Sequence, residues 1–224
     1  HTFDLLEPWI KKYDLPNLEK LFNEGIHGRL ESTIPPSTAA AFPALYTGVT
    51  SQNSGLYGWR ELNLKNNQQV RINTNRFKAQ RLWNILSDND LKSVWLNVPT
   101  TYPPDDFDGW MITGLTTPDT NSNFTHPPEL KEEILDIEPD YKIHPNFYYS
   151  DKRSDEFFDE ISSIVQKRYN VAKYLWKNKD WDFFVTHFRF PDCILHHVWP
   201  ENDEIEKKIL KIQKELDDYL GWFL

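Results

Sequence analysis

Two short stretches of this sequence carry residues able to do chemistry. In Ser32-Thr-Ile-Pro-Pro-Ser-Thr-Ala-Ala-Ala-Phe-Pro-Ala-Leu-Tyr-Thr-Gly48, an apolar strand end runs into two prolines and then into the hydroxyls of Ser37 and Thr38. The alanine-rich stretch that follows reads as a short helix ending at Gly48. A hydroxyl at a helix start ordinarily serves as an N-cap, accepting from the first backbone N–H groups. The same place also suits phosphate chemistry, because those N–H groups and the positive end of the helix dipole face an incoming anion. The local pattern leaves both roles open. In the second stretch, Phe190-Pro-Asp-Cys-Ile-Leu-His-His-Val-Trp-Pro200, the spacing Asp192-x-x-x-His196 can bring a carboxylate and an imidazole to one point. Spacing of this kind is weak by itself. It recurs as Asp140-Tyr-Lys-Ile-His144, but that copy sits between Pro139 and Pro145 and follows no strand, so it is read as a decoy.

Positioning such residues takes strands and helices, and the chain alternates between them. Apolar runs bounded by turn formers, Val94–Val98, Trp110–Thr113 and Asp182–Phe188, read as buried strands. Leu15, Leu18, Leu21 and Phe22 share one helical face, with Pro16 at a first-turn position and Gly25 as the stop. Further amphipathic stretches lie near residues 79–88, 128–136, 154–178 and 202–222; the last carries Ile205, Ile209, Ile212, Leu216 and Leu220 at helical spacing. Alternation of this kind predicts an α/β fold with a largely parallel sheet and helices on its faces. In such sheets ligands collect beyond the carboxyl ends of the strands, which is where Asp192 follows its strand. The segment 99–127, rich in Pro, Thr, Asp and Asn, reads as a substrate-side insertion or a solvated connection.

Composition narrows the class. With 25 Lys+Arg against 34 Asp+Glu the net charge is −9, which argues against binding to duplex nucleic acid, since that needs a basic face. No apolar run is long enough to span a membrane. The chain opens with no basic-then-apolar leader, and the single Cys193 cannot pair internally, so the expected location is the cytoplasm.

Several spaced elements agree with one family. Leu15-Pro-Asn-Leu, Gly25, Ser32-Thr33, Pro35-Pro36, Thr38, Thr47-Gly48 and Gly55-Leu-Tyr-Gly58 are followed in order by Leu82-Trp-Asn-Ile-Leu86, Asn97-Val-Pro-Thr-Thr-Tyr-Pro-Pro104 and Gly109. Gly114-Leu-Thr-Thr-Pro118, Trp181-Asp182 and Asp192-x-x-x-His196-x-x-Trp199 complete the series. The chain thereby resembles the type I phosphodiesterase/nucleotide pyrophosphatase group of the alkaline-phosphatase-like superfamily. The resemblance implies a three-layer α/β fold with a mainly parallel central sheet, residues 1–224 being part of one catalytic domain with a loop-rich insertion near 99–127.

The resemblance also implies a reaction. The family nucleophile falls nine residues before the Thr-Gly pair, on Thr38. A threonine hydroxyl needs activation, so two divalent metal ions, zinc or alternatively manganese, are implied beside it, with the Thr38 oxygen, Asp192 and His196 among their ligands. His197 is the adjacent competitor. The nucleotide-cleaving branch commonly carries an Asn three positions after the nucleophile, where this chain has Ala41. The implied activity is hydrolysis of small-molecule phosphate esters, diester or nucleotide pyrophosphate, through a phosphothreonine. The alternatives are a non-catalytic binding or regulatory relative and a superfamily cousin, either a phosphosugar mutase or a sulfatase. For a sulfatase, neither Ser37 nor Cys193 is followed by the required Pro and Arg. The family's Asp-Gly falls before the first residue and its Asp-His pair after the last, so the sequence is expected to be an internal piece of a longer enzyme.

Overall fold

A computed structural model describes residues 3–63, 66–200 and 202–224. Helices α1 (Phe3–Tyr13), α2 (Pro16–Glu24), α3 (Thr38–Thr47) and α4 (Ser51–Ser54) come first, followed by strands β1 (Arg60–Asn63) and β2 (Gln68–Arg71). Helix α5 (Leu82–Ser87) leads into β3 (Ser93–Val98), β4 (Gly109–Thr113) and the short β5 (Thr125–His126). Then come α6 (Leu130–Ile137), α7 (Ser154–Asn178), β6 (Phe183–Thr186), α8 (Phe190–Leu195) and α9 (Asp203–Phe223). Two units divide the chain: His1–Arg29, Pro145–Tyr169 and Phe188–Leu224 form one, Leu30–His144 and Asn170–His187 the other.

The second unit holds the sheet. Its strands run in the order β5-β4-β3-β6, with β3 parallel to both β4 and β6 and β5 antiparallel to β4, so the fold is α/β with a mainly parallel sheet. Every residue of β3 is buried, which is why Val94, Trp95 and Leu96 are apolar at consecutive positions instead of alternating with polar residues. Tyr46, Trp83, Trp95 and Met111 form a core beside it, and the buried Trp83 indole donates to Asp105 Oδ2 at 2.8 Å. The structure corrects one expectation. The strand read over Asp182–Phe188 is not buried: β6 is an edge strand of this sheet, and Phe183 at its start is 38% exposed. Its aromatic residues cover a face instead of filling a centre.

The first unit is helical. Trp9, Leu15, Phe157, Ile161, Ile209 and Ile212 meet in one core, so the apolar stripe of the 202–222 stretch does face inward as its spacing predicts. Helix α9 starts where Asn202 accepts from the Ile205 N–H at 3.0 Å, with Asp203, Glu204 and Glu206 in its positive first turn. Helix α2 has no such cap of its own, because Leu15 stands at its N-cap. The buried Asp217 of α9 supplies one: its carboxylate accepts from the Asn17 N–H at 3.1 Å, the Leu18 N–H at 2.8 Å and Asn17 Nδ2 at 3.0 Å. Asp217→Ala leaves the part-buried N–H groups of Asn17 and Leu18 without this acceptor, while Asn17 Nδ2 keeps the Asp217 carbonyl at 3.0 Å, and is expected to lower stability by about 2 kcal/mol in urea unfolding, with Asp217→Asn losing about half as much. No helix among the described residues is long and apolar enough to cross a membrane.

Candidate functional site

The two chemistry-bearing stretches fall in different units. Thr38 belongs to the sheet-containing unit, Asp192 and His196 to the helical one.

Around Thr38 the backbone explains the motif. The Pro35 carbonyl accepts from Thr33 Oγ1 and from the Ser37 N–H, both at 2.9 Å, turning the chain into α3. Ser37 takes the extended N-cap conformation, yet its hydroxyl makes no cap bond. The ordinary capping role is therefore unfilled. The Ser37 carbonyl accepts from the N–H groups of Ala40 at 2.9 Å and Ala41 at 2.8 Å. That leaves the N–H groups of Thr38 and Ala39 without a partner inside the helix, next to a half-buried Thr38 hydroxyl. Together they make a small anion-facing corner at the positive end of a ten-residue helix. Ala41 brings no side-chain donor to it. The other end of α3 accounts for the Thr-Gly pair: Gly48 is left-handed at φ 68° and its N–H returns to the Ala44 carbonyl at 2.9 Å. The nine-residue offset from Thr38 to Thr47 is thus the length of the helix.

Helix α3 is seated by its own buried face. Phe42, one turn after Thr38, packs T-shaped against the His187 ring with centroids 5.0 Å apart, and His187 follows β6 directly. His187 Nδ1 in turn donates to the Asn97 carbonyl at 3.2 Å in β3. A further turn along, the Tyr46 hydroxyl lies 3.1 Å from the Thr100 carbonyl and 3.0 Å from its hydroxyl, and burial pushes this phenol well above the usual tyrosine range. Thr38 therefore lies on a helix anchored at the carboxyl ends of parallel strands, the usual place for a ligand site in such sheets. Sequence reading singled out neither Asn97 nor His187 for this role; a polar Asn near the end of an apolar strand, just before Val-Pro, is the one signal that could have drawn attention to the first.

In the helical unit, Asp192 and His196 stand four residues apart at α8, and His196 Nε2 lies 3.5 Å from Asp192 Oδ1 with both side chains largely exposed. His197 is differently engaged: its ring packs against Tyr148 at 5.4 Å and Phe157 at 6.4 Å. Between the pair sits the buried Cys193, whose thiol is pushed up by burial and pulled back in part by Arg189. A neutral, covered thiol has no nucleophilic role. The decoy lacks helical geometry, and His144 Nε2 is 2.8 Å from the Thr117 carbonyl. A carboxylate oxygen and an imidazole nitrogen at one point are the donor types that zinc or manganese takes, and they fit as two ligands of an ion. No group of three or more His, Cys, Asp or Glu donors occurs among the described residues.

Residues 1–222 match the model of the type I phosphodiesterase/nucleotide pyrophosphatase family, in accord with the α/β sheet. No curated protein and no solved structure gives a significant match to the chain.

Proposed function

The chain belongs to the type I phosphodiesterase/nucleotide pyrophosphatase family, and from this premise we propose that it is a metal-dependent phosphohydrolase acting through a phosphothreonine at Thr38. The observation that carries the reading is the start of α3, where an unbonded hydroxyl and two uncommitted backbone N–H groups share one corner. In this reading residues 1–224 are part of one catalytic domain.

The reaction has two in-line steps. The Thr38 oxygen forms a bond to phosphorus as the ester oxygen leaves with its electron pair and takes up a proton; water then attacks the phosphothreonine and returns the hydroxyl. Two displacements give net retention at phosphorus. The N–H groups of Thr38 and Ala39 donate to the non-bridging oxygens, whose charge grows in the transition state. Divalent cations, when bound, ease deprotonation of the oxygen nucleophile and neutralise charge on the departing oxygen. Asp192 and His196 would hold one of them. Because Ala41 cannot donate, phosphate recognition at this corner rests on the backbone.

With zinc or manganese added, the full-length protein is expected to hydrolyse bis-p-nitrophenyl phosphate at least ~10³-fold faster than after chelation, and to leave p-nitrophenyl sulfate untouched. A preference for the sulfate ester would make the chain a sulfatase-like cousin. Tight metal binding without hydrolysis of any phosphate ester would make it a binding relative.

A further inference from the structure

The central strand ends in two buried left-handed residues. Asn97 has φ 58° and Thr100 φ 62°, and both are shielded from solvent. At Asn97 the register with β4 slips: Leu96 pairs with Ile112, but Val98 pairs with Thr113. The slip is locked from the β4 side by Gly114, where a Cβ would stand 2.2 Å from the Val98 carbonyl oxygen and 2.4 Å from that of Asn97. Such backbone is unfavourable for a residue with a side chain and persists only where the surroundings enforce it, typically at functional sites. Among residues that carry a side chain, Asn is one of the few types that tolerate it.

The enforcing contacts lead to α3. The Tyr141 hydroxyl donates to Asn97 Oδ1 at 2.7 Å, fixing the side chain, while the Asn97 carbonyl holds His187 at 3.2 Å. His187 bears on Phe42, and Thr100 bonds Tyr46. Thr38, Phe42 and Tyr46 are spaced i, i+4, i+8, so they form one stripe along the helix. Two turns of that stripe are thus gripped by the exit of β3, and the first residue of the stripe is Thr38.

We infer that Asn97 is a positioning residue for the nucleophile: through His187 and Phe42, and in parallel with Thr100 and Tyr46, it sets where the Thr38 oxygen stands relative to the bound phosphate. This inference rests on the reading of Thr38 as nucleophile. An in-line attack tolerates little displacement, and a shift of about 1 Å costs on the order of 10²-fold in rate. The bulged backbone at Asn97 is the element able to make or prevent such a shift.

The test compares kcat and KM on bis-p-nitrophenyl phosphate for the metal-loaded full-length protein and four variants, with metal content and thermal midpoint measured in parallel. Asn97→Ala is expected to lower kcat by about 30- to 100-fold with KM within about twofold and metal content unchanged. Asn97→Asp, which keeps an acceptor for Tyr141 and tolerates the left-handed backbone, is expected to recover to within about fivefold of the parent. Tyr46→Phe removes one hydroxyl with the ring in place and is expected to lower kcat about threefold, again without moving KM. Thr38→Ala is run beside them. If Thr38→Ala keeps its activity, the nucleophile assignment falls; if it is dead while folded Asn97→Ala turns over like the parent, the positioning role alone falls. Equal losses in Asn97→Ala and Asn97→Asp, tracking the thermal midpoint, would also overturn it by showing a structural role only.

Discussion

Thr38→Ala is expected to abolish phosphate-ester hydrolysis, lowering kcat by at least ~10⁴-fold, while the thermal midpoint stays close to the parent's. Both halves of this outcome follow from the start of α3. The Thr38 hydroxyl makes no hydrogen bond among the described residues, and the side chain is only half-buried, so its loss orphans no partner and opens no cavity. Alanine is also the better helix former. Chemistry, by contrast, loses the only atom on which the phosphoryl group is proposed to rest. Ser37 is the control. Replacing an N-cap serine ordinarily costs about 1 kcal/mol, but this hydroxyl makes no cap bond, so Ser37→Ala should leave both stability and turnover nearly unchanged. Quenching the enzyme during turnover should leave one phosphoryl group on the peptide that contains Thr38, found by mass spectrometry in the parent and absent from Thr38→Ala. The reverse pattern, with Ser37→Ala dead and Thr38→Ala active, would place the nucleophile one residue earlier.

Why the local sequence could not choose between Ser37 and Thr38 is plain from the geometry. Both hydroxyls stand at a helix start, and capping depends on side-chain rotamers that no pattern encodes; the structure leaves the expected cap unmade. Strand β3 was legible because burial on both faces favours apolar residues at consecutive positions, here Val94, Trp95 and Leu96. Helix α9 was legible for the complementary reason, a stripe at helical spacing over a long stretch. Two elements left weaker marks. Hairpin β1–β2 is built from Arg60-Glu-Leu-Asn63 and Gln68-Gln-Val-Arg71, mostly exposed and polar, so no alternation betrays it. Helix α1 carries Pro8 inside it, which reads as a breaker. The left-handed backbone at Asn97 and Thr100 was the least legible feature. It is imposed by Gly114, Tyr141 and Tyr46, which are distant in sequence, so local preference only permits it.

The Asp-x-x-x-His spacing shows the same division, and it leads to the second large effect. The sequence contains the pattern twice, with identical residue types and spacing. Backbone separates the copies: around α8 four residues make just over one helical turn and bring His196 Nε2 to 3.5 Å from Asp192 Oδ1, whereas His144 lies in irregular chain beside the Thr117 carbonyl. The Asp192/His196 pair stands at an exposed point that a solvated cation can reach. Asp192→Ala and His196→Ala are each expected to remove about one divalent ion per chain from the metal-loaded enzyme, with affinity falling at least ~100-fold, more than the 10- to 100-fold typical of losing an outer-shell partner. Hydrolysis should fall with the bound metal, and raising zinc or manganese should restore part of it, because one donor of the pair remains. Folding should be nearly unaffected, since an exposed pair of this kind contributes little to stability. His197→Ala should keep its metal, as that ring is packed against Tyr148 and Phe157 rather than paired with Asp192. Asp140→Ala and His144→Ala should keep theirs as well. Loss of an ion from the Asp140 or His144 variants equal to that from the Asp192 and His196 variants would overturn the assignment, because it would mean that spacing, and not the helical turn that converts spacing into convergence, selects the ligands.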